Sequence, residues 1–109
     1  MKPAPRRAIE FNADFDRQYR WYLEQAGEDV AERFLEAMKR TLRRLSEQPE
    51  LGRRRKFRNP ALRNLRSHRV ERPFDRVLIF YRLTDGGLEA WRLTDGARDL
   101  PRRLAELPV

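Results

Sequence analysis

The sequence has no cysteine and only one histidine. Without cysteine the chain has no disulfide framework, no thiol nucleophile and no zinc–thiolate site, and it suits the reducing cytoplasm, where we expect it to reside. The acidic residues Asp14, Asp16, Glu24 and Glu28 do not have the spacing of a metal site and suit a solvated helix face and helix caps. We therefore expect neither a metal nor another cofactor.

Long apolar runs are also missing. No apolar segment follows the basic start of the chain, so we expect no signal peptide. No segment approaches the roughly 18 consecutive apolar residues that a membrane-spanning helix needs. The sequence thus predicts a protein without a membrane partner.

Basic residues, in contrast, are abundant. The 109 residues include 25 Lys and Arg against 17 Asp and Glu, a net charge of +8 that comes almost wholly from arginine. This length predicts one domain spanning residues 1–109. Because guanidinium groups pair well with carboxylates and phosphates, the excess charge indicates a polyanionic partner, either nucleic acid or an acidic protein segment.

The first half of the chain has the pattern of a short strand followed by two helices. Residues 7–11 predict a strand with Ile9 and Phe11 on one face, and Asn12 and Asp14 are good helix-capping types. The following helix should run to Ala26 and end at Gly27. A second helix should begin near Glu28 and Asp29. Its predicted inner stripe comprises Val30, Phe34, Ala37, Met38, Thr41 and Leu45, widened by Leu35 and Leu42.

The second half predicts a basic connection and then three strands. Residues 53–63 form the connection, in which Pro60 disfavours regular structure. Strands are expected at 65–71, 76–83 and 88–93, with a turn at 72–75 and a type I′ hairpin turn at Asp85-Gly86. A short helix is expected at 101–107.

The expected architecture is therefore α+β, in the order β-α-α-β-β-β. A helical hairpin should pack on one face of a small antiparallel sheet, with a short C-terminal tail helix. We expect the opposite face to stay partly open, flanked by arginines, as a place for a partner or RNA.

Several short motifs, all in order, resemble the ParE/RelE superfamily of bacterial type II toxin–antitoxin proteins. Besides the helical hairpin they are Pro49-Glu50-Leu51-Gly52-Arg53, Leu65-Arg66-Ser67, Leu78-Ile79-Phe80-Tyr81-Arg82, Arg92-Leu93 and Gly96-Ala97-Arg98-Asp99. The sequence departs from the family pattern at Asp95, where a histidine is common, and at Thr94, which replaces an apolar residue.

The resemblance implies a toxin held in a hetero-oligomeric complex by its cognate antitoxin, and it allows two activities. RelE-like members cut mRNA on the ribosome with clustered basic residues, and by position Arg66, His68, Arg76 and Arg98 would supply that cluster here. ParE-like members inhibit DNA gyrase and are not nucleases. Because no Tyr, His or Lys follows Arg98 to serve as the acid or base, the sequence favours the ParE branch.

The resemblance also assigns surfaces to particular residues. Candidates for toxicity and target binding are Arg76, Arg98 and Asp99. Candidates for contact with an acidic antitoxin are Arg66, Arg69, Tyr81, Arg82 and Trp91.

Plainer interpretations stay open for several of these residues. His68 suits an ordinary strand position, Tyr81 and Trp91 suit a core, and residues 53–56 suit either nucleic-acid binding or simple solvation. A third functional alternative is a degenerate, non-toxic member that serves only as a binding module in plasmid maintenance.

Overall fold

The computed structural model describes residues 4–96, which form two helices and a five-stranded sheet. The elements are β1 (Arg6–Arg7), α1 (Ile9–Ala26), α2 (Glu28–Glu47), β2 (Arg53–Arg54), β3 (Arg66–Arg69), β4 (Val77–Thr84) and β5 (Gly87–Asp95). Single-turn 3₁₀ helices lie at Pro49–Leu51 and Pro60–Leu62, so the expectation that Pro60 disfavours regular structure was wrong, because proline suits the first position of a helical turn. The strand order is β1-β5-β4-β3-β2, with β1 parallel to β5 and all other pairs antiparallel. The α+β architecture is confirmed. The predicted tail helix at 101–107 lies outside the described residues.

The start of the chain differs from the expectation. The predicted strand at 7–11 is only the two-residue β1, and α1 begins at Ile9, whose side chain is 84% exposed. Helical spacing explains the difference. In the helix, successive turns of α1 direct Phe11, Asp14 and Phe15 toward the sheet. In a strand, by contrast, Ile9 would lie on the same face as Phe11. Asn12 and Asp14 lie inside the helix rather than at its start, so the expectation that they cap it was wrong.

The helical hairpin is confirmed. Gly27 separates the two helices with a φ of 93°, and its N–H donates to the carbonyl of Leu23. A positive φ at this point is the reason for a glycine. The predicted inner stripe of α2 is buried or half-buried throughout.

The central β4–β5 hairpin is also confirmed, although its turn is of another type. A type I′ turn needs positive φ at both central residues, but in this turn the positive φ of 112° is at Gly87, after Asp85 and Gly86. Further along, Phe80 is opposite Arg92 and Tyr81 is opposite Ala90, so Trp91 is an extra residue in β5. This β-bulge reorients the chain next to Arg92.

The sheet is apolar on both faces. On the helix-facing side, residues such as Phe34, Ile79 and Leu93 form the main core. On the other side, called the far face here, Leu78, Phe80 and Trp91 form a second cluster with Leu62 and Leu65 from the basic connection. The expectation that this face stays partly open was therefore wrong where Leu62 and Leu65 of the connection pack over it.

Both edges of the sheet are very short and doubly basic. The strand β1 is Arg6–Arg7, and β2, which the sequence did not predict, is Arg53–Arg54. Short charged edge strands offer few free backbone groups for pairing with another chain.

Candidate functional surface

A buried ion pair ties the first helix to the last strand. The Asp14 carboxylate accepts hydrogen bonds from Arg92 Nε at 2.6 Å and Nη2 at 3.0 Å, and from the Leu93 backbone N–H at 3.0 Å. Arg17 Nη2 lies 2.6 Å from the same carboxylate. The side chains of Asp14 and Arg92 are only 4% and 14% exposed. The prediction that Asp14 belongs to a solvated face or a cap was wrong.

An open cleft of about 480 Å³ adjoins this ion pair, between α1 and the end of β5. Its lining residues are Asp14, Arg17, Gln18, Arg20, Trp21, Glu24, Arg92, Leu93, Thr94 and Asp95. Trp21 is 50% exposed at this site, although large aromatic side chains usually lie inside a fold. The cleft therefore combines an accessible aromatic ring with three arginines and three carboxylates. In the sequence, only the polar stretch of α1 around Trp21 indicates this cleft.

The hydrogen bonds that join Tyr81 to Pro49 and Gly52, called the latch here, fix the turn that follows α2. The Tyr81 hydroxyl donates to the Pro49 carbonyl at 2.6 Å and accepts from the Gly52 N–H at 2.9 Å. A Cβ at position 52 would overlap the Tyr81 ring and hydroxyl, which is why a glycine stands there. Burial of the ring raises the pKa of the Tyr81 phenol. The structural interpretation of Tyr81 is confirmed, and its fully buried ring is inaccessible to an antitoxin.

Of the residues expected to form a nuclease cluster, Arg66 and His68 lie two residues apart on β3, but Arg66 and Arg76 are not brought together. Arg66 donates to the Gly52 carbonyl at 2.9 Å, and Arg76 pairs with Asp95 at 3.6 Å. In register, Arg66 is opposite Tyr81 and His68 is opposite Ile79. Because a strand rises about 3.4 Å per residue, these positions lie about 17 and 10 Å along the chain from Arg76. Arg98 and Asp99 are outside the described residues.

The His68 side chain is hydrogen-bonded within its own strand. Its Nδ1 lies 2.7 Å from the Arg69 carbonyl, and because a carbonyl oxygen only accepts, this nitrogen carries the hydrogen. The side chain is half-buried beside α2, next to Thr41 and Arg44. The surroundings suit a structural strand residue better than a proton carrier, as the plainer interpretation predicted.

The predicted antitoxin-contact residues divide by exposure. Arg69 is exposed, and Arg66 and Arg82 are half-buried. Trp91 is 8% exposed and lies in the second cluster, as its core interpretation predicted. Arg82 lies over the Trp91 ring at 4.9 Å from its centroid and pairs with Glu89 at 3.4 Å. Of these two groups, the Arg82 side chain is therefore the more accessible one.

Within residues 4–96 there is no group of three or more His, Cys, Asp or Glu placed to hold a metal ion. None of the helices in this range is long and apolar enough to cross a membrane.

These features define a class of protein, a small basic α+β domain in which a helical hairpin packs on a largely antiparallel sheet. The model of the family described as "ParE toxin of type II toxin-antitoxin system, parDE" matches residues 8–100. The chain therefore belongs to the ParE family and is the toxin of a type II toxin–antitoxin system.

A solved structure has the same fold. It is titled "Chromosomal ParDE TA system from P. aeruginosa", and the likeness has a TM-score of 0.69 at 17% identity. The match covers 86% of this chain and 96% of that chain. A comparison with curated proteins finds no match. The resemblance to the ParE branch is thus confirmed, and an antitoxin is the expected partner of this toxin.

Proposed function

We propose that this toxin inhibits DNA gyrase and that an acidic segment of its antitoxin neutralises it. The observation that carries the proposal is the match of the ParE family model to residues 8–100. The separation of Arg66 from Arg76, about 17 Å along β4 in register, supports it. A metal-free nuclease needs its acid, base and phosphate-binding groups around one scissile bond. The described residues supply no such convergence, which supports inhibition by binding.

The target is tested with purified toxin and gyrase in a supercoiling assay. We expect inhibition or trapped cleaved DNA with free toxin, and full activity after the antitoxin is added first. Unchanged supercoiling without trapped cleavage, at excess toxin, would contradict the proposal. Primer extension on translated mRNA tests the nuclease alternative, which gains if cuts appear and are lost with Arg76→Ala.

We place the apolar contact of the antitoxin at the cleft between α1 and β5. An amphipathic acidic segment would cover the Trp21 ring while a carboxylate meets Arg20, because Arg17 already pairs with Asp14. Arg66 and Arg82 stay predicted contacts for further acidic side chains. Complementary charge of this kind speeds association and is screened by salt.

Trp21→Ala tests this placement by measuring antitoxin affinity. Truncation of an aromatic anchor costs about 2 kcal/mol or more, which corresponds to a loss of about 30-fold. The matched control is Leu83→Ala, since Leu83 is 52% exposed at the tip of the β4–β5 hairpin. Equal affinities of the two variants would exclude the cleft as the antitoxin site.

A further inference from the structure

Three arginines form a compact group at the β2 edge of the far face. Arg53 is opposite Ser67 in register, and Arg69 lies two residues further along β3, opposite Leu78. Arg55 joins them, because its Nε donates to Ser67 Oγ at 2.7 Å. Neighbouring strands lie about 4.8 Å apart and residues rise about 3.4 Å, so the Cα atoms of Arg53 and Arg69 are about 8 Å apart. We call Arg53, Arg55 and Arg69 the arginine patch.

The patch is not neutralised by the described part of the chain. The ion pairs found within residues 4–96 involve Arg17, Lys39, Arg40, Arg76, Arg82 and Arg92 instead. Arg69 donates to a backbone carbonyl, that of Asp75, at 2.7 Å. Burial, followed by repulsion from Arg53 and Arg69, lowers the pKa of Arg55. Within the described residues, like charges are therefore held together without an ion pair to a carboxylate, and a bound anion would relieve their repulsion.

The surroundings of the patch favour one kind of anion. Guanidinium groups match phosphate oxygens in geometry. Proteins that bind single strands also stack bases on accessible aromatic rings. Two of the rings beneath this surface are closed, because Phe80 is fully buried with Arg55 above it and Trp91 lies beneath Arg82. The third ring, Phe57, is half-buried against the same cluster, so the described surface offers no row of accessible rings for successive bases to stack on. Contacts to the phosphates of a paired duplex, whose bases stay stacked, fit this surface better than single-strand binding.

We infer that the arginine patch binds the phosphate backbone of double-stranded DNA without reading its sequence. This inference goes beyond the proposed function, because it assigns a nucleic-acid contact to the toxin itself. Its test contains no gyrase, so it can fail while inhibition of gyrase stands, and the reverse also holds.

The test measures binding of purified toxin to a short labelled DNA duplex by fluorescence anisotropy at several salt concentrations. Each neutralised phosphate contributes about −0.9 to the slope of log affinity against log salt, so three contacts predict a slope of about −2.7. Between about 50 and 200 mM salt the affinity should fall about 40-fold. A second duplex of unrelated sequence should bind equally.

The decisive variant is Arg53→Gln with Arg69→Gln, which leaves the packed Arg55 in place. We expect the slope to fall to about −0.9, because one contact remains. The matched control is Arg33→Gln with Arg43→Gln on the exposed surface of α2, which removes the same charge from the opposite side of the sheet. The control should keep the full slope, and circular dichroism checks that both variants are folded.

Several results would overturn the inference. One is an equal loss of slope in both double variants, which would mean that only net charge matters. Others are the absence of duplex binding at low salt, tighter binding of a single strand of the same length, and equal competition by a glutamate-rich peptide of matched charge. Tighter binding of the single strand would assign the patch to single-stranded nucleic acid, and equal competition by the peptide would assign it to the antitoxin.

Discussion

The ion pair between Asp14 and Arg92 allows a quantitative test of how the helical hairpin is joined to the sheet. Asp14→Asn keeps the shape of the side chain but removes its charge, so no cavity forms. Arg92, whose side chain is 14% exposed, then keeps a mostly buried charge without its counter-ion. Removing one member of a buried pair costs about 3–5 kcal/mol.

This cost translates into a measurable change in melting temperature. An unfolding entropy of about 2.1 cal/mol/K per residue, over 109 residues, makes each kcal/mol worth about 4.4 °C. We expect Asp14→Asn to lower the Tm by about 13–22 °C in calorimetry. Asp16→Asn is the matched control, because Asp16 is exposed on the same helix, and it should change the stability by about 0.5 kcal/mol or less.

A double-mutant cycle separates loss of the pair from loss of either residue. When Arg92→Leu is combined with Asp14→Leu, both charges leave the interior, so the double variant should be less destabilised than the sum of the single variants. Additive effects, or a loss below about 1 kcal/mol for Asp14→Asn, would refute the argument that this pair is buried and coupled.

Three further predictions concern the latch and the start of α1. Because the folded chain binds the Tyr81 proton more tightly than the unfolded chain, the free energy of unfolding should fall as the pH rises above about 10. Tyr81→Phe should weaken this pH dependence, measured by denaturant titrations, and lower the free energy of unfolding by about 1–3 kcal/mol at neutral pH. An unchanged dependence of the free energy of unfolding on pH would contradict this prediction. Gly52→Ala should lower the free energy of unfolding by about 1–3 kcal/mol, because the added methyl group overpacks against Tyr81. Gly86→Ala is the control and should lower it less, because a Cβ there meets only the Arg6 guanidinium, at 3.4 Å. Equal losses in the two variants would contradict this steric explanation. Ile9→Glu should alter the stability by about 0.5 kcal/mol or less, because Ile9 is an exposed helical residue, and a large loss would restore the strand interpretation.

Local patterns were sufficient to predict most of the elements. The apolar stripe of α2 and the continuous apolar run of β4 identified a helix and a central strand, since their spacing follows the periods of 3.6 and 2 residues. The β4–β5 hairpin followed from Asp85-Gly86. The motif order predicted the ParE family, which the family model confirms over residues 8–100.

Pairing between distant residues could not be predicted in the same way. Asp14 has the appearance of a solvated or capping acid, yet its partner Arg92 is 78 positions away. The short strand β2 exists because it pairs with β3, and the basic connection is ordered because Leu62 and Leu65 cover the far face. None of these contacts leaves a periodic signal along the chain.

The sequence by itself determined the charge, the helical hairpin, the central strands and the toxin family. Tertiary structure alone decided which arginines are used within the fold and which face solvent. The physical reason is that the sequence around an arginine does not indicate which group its guanidinium contacts, because that group comes from a distant part of the chain. Arg92 lies against a buried carboxylate and Arg82 against an aromatic ring, whereas Arg53 and Arg69 are held side by side at a sheet edge.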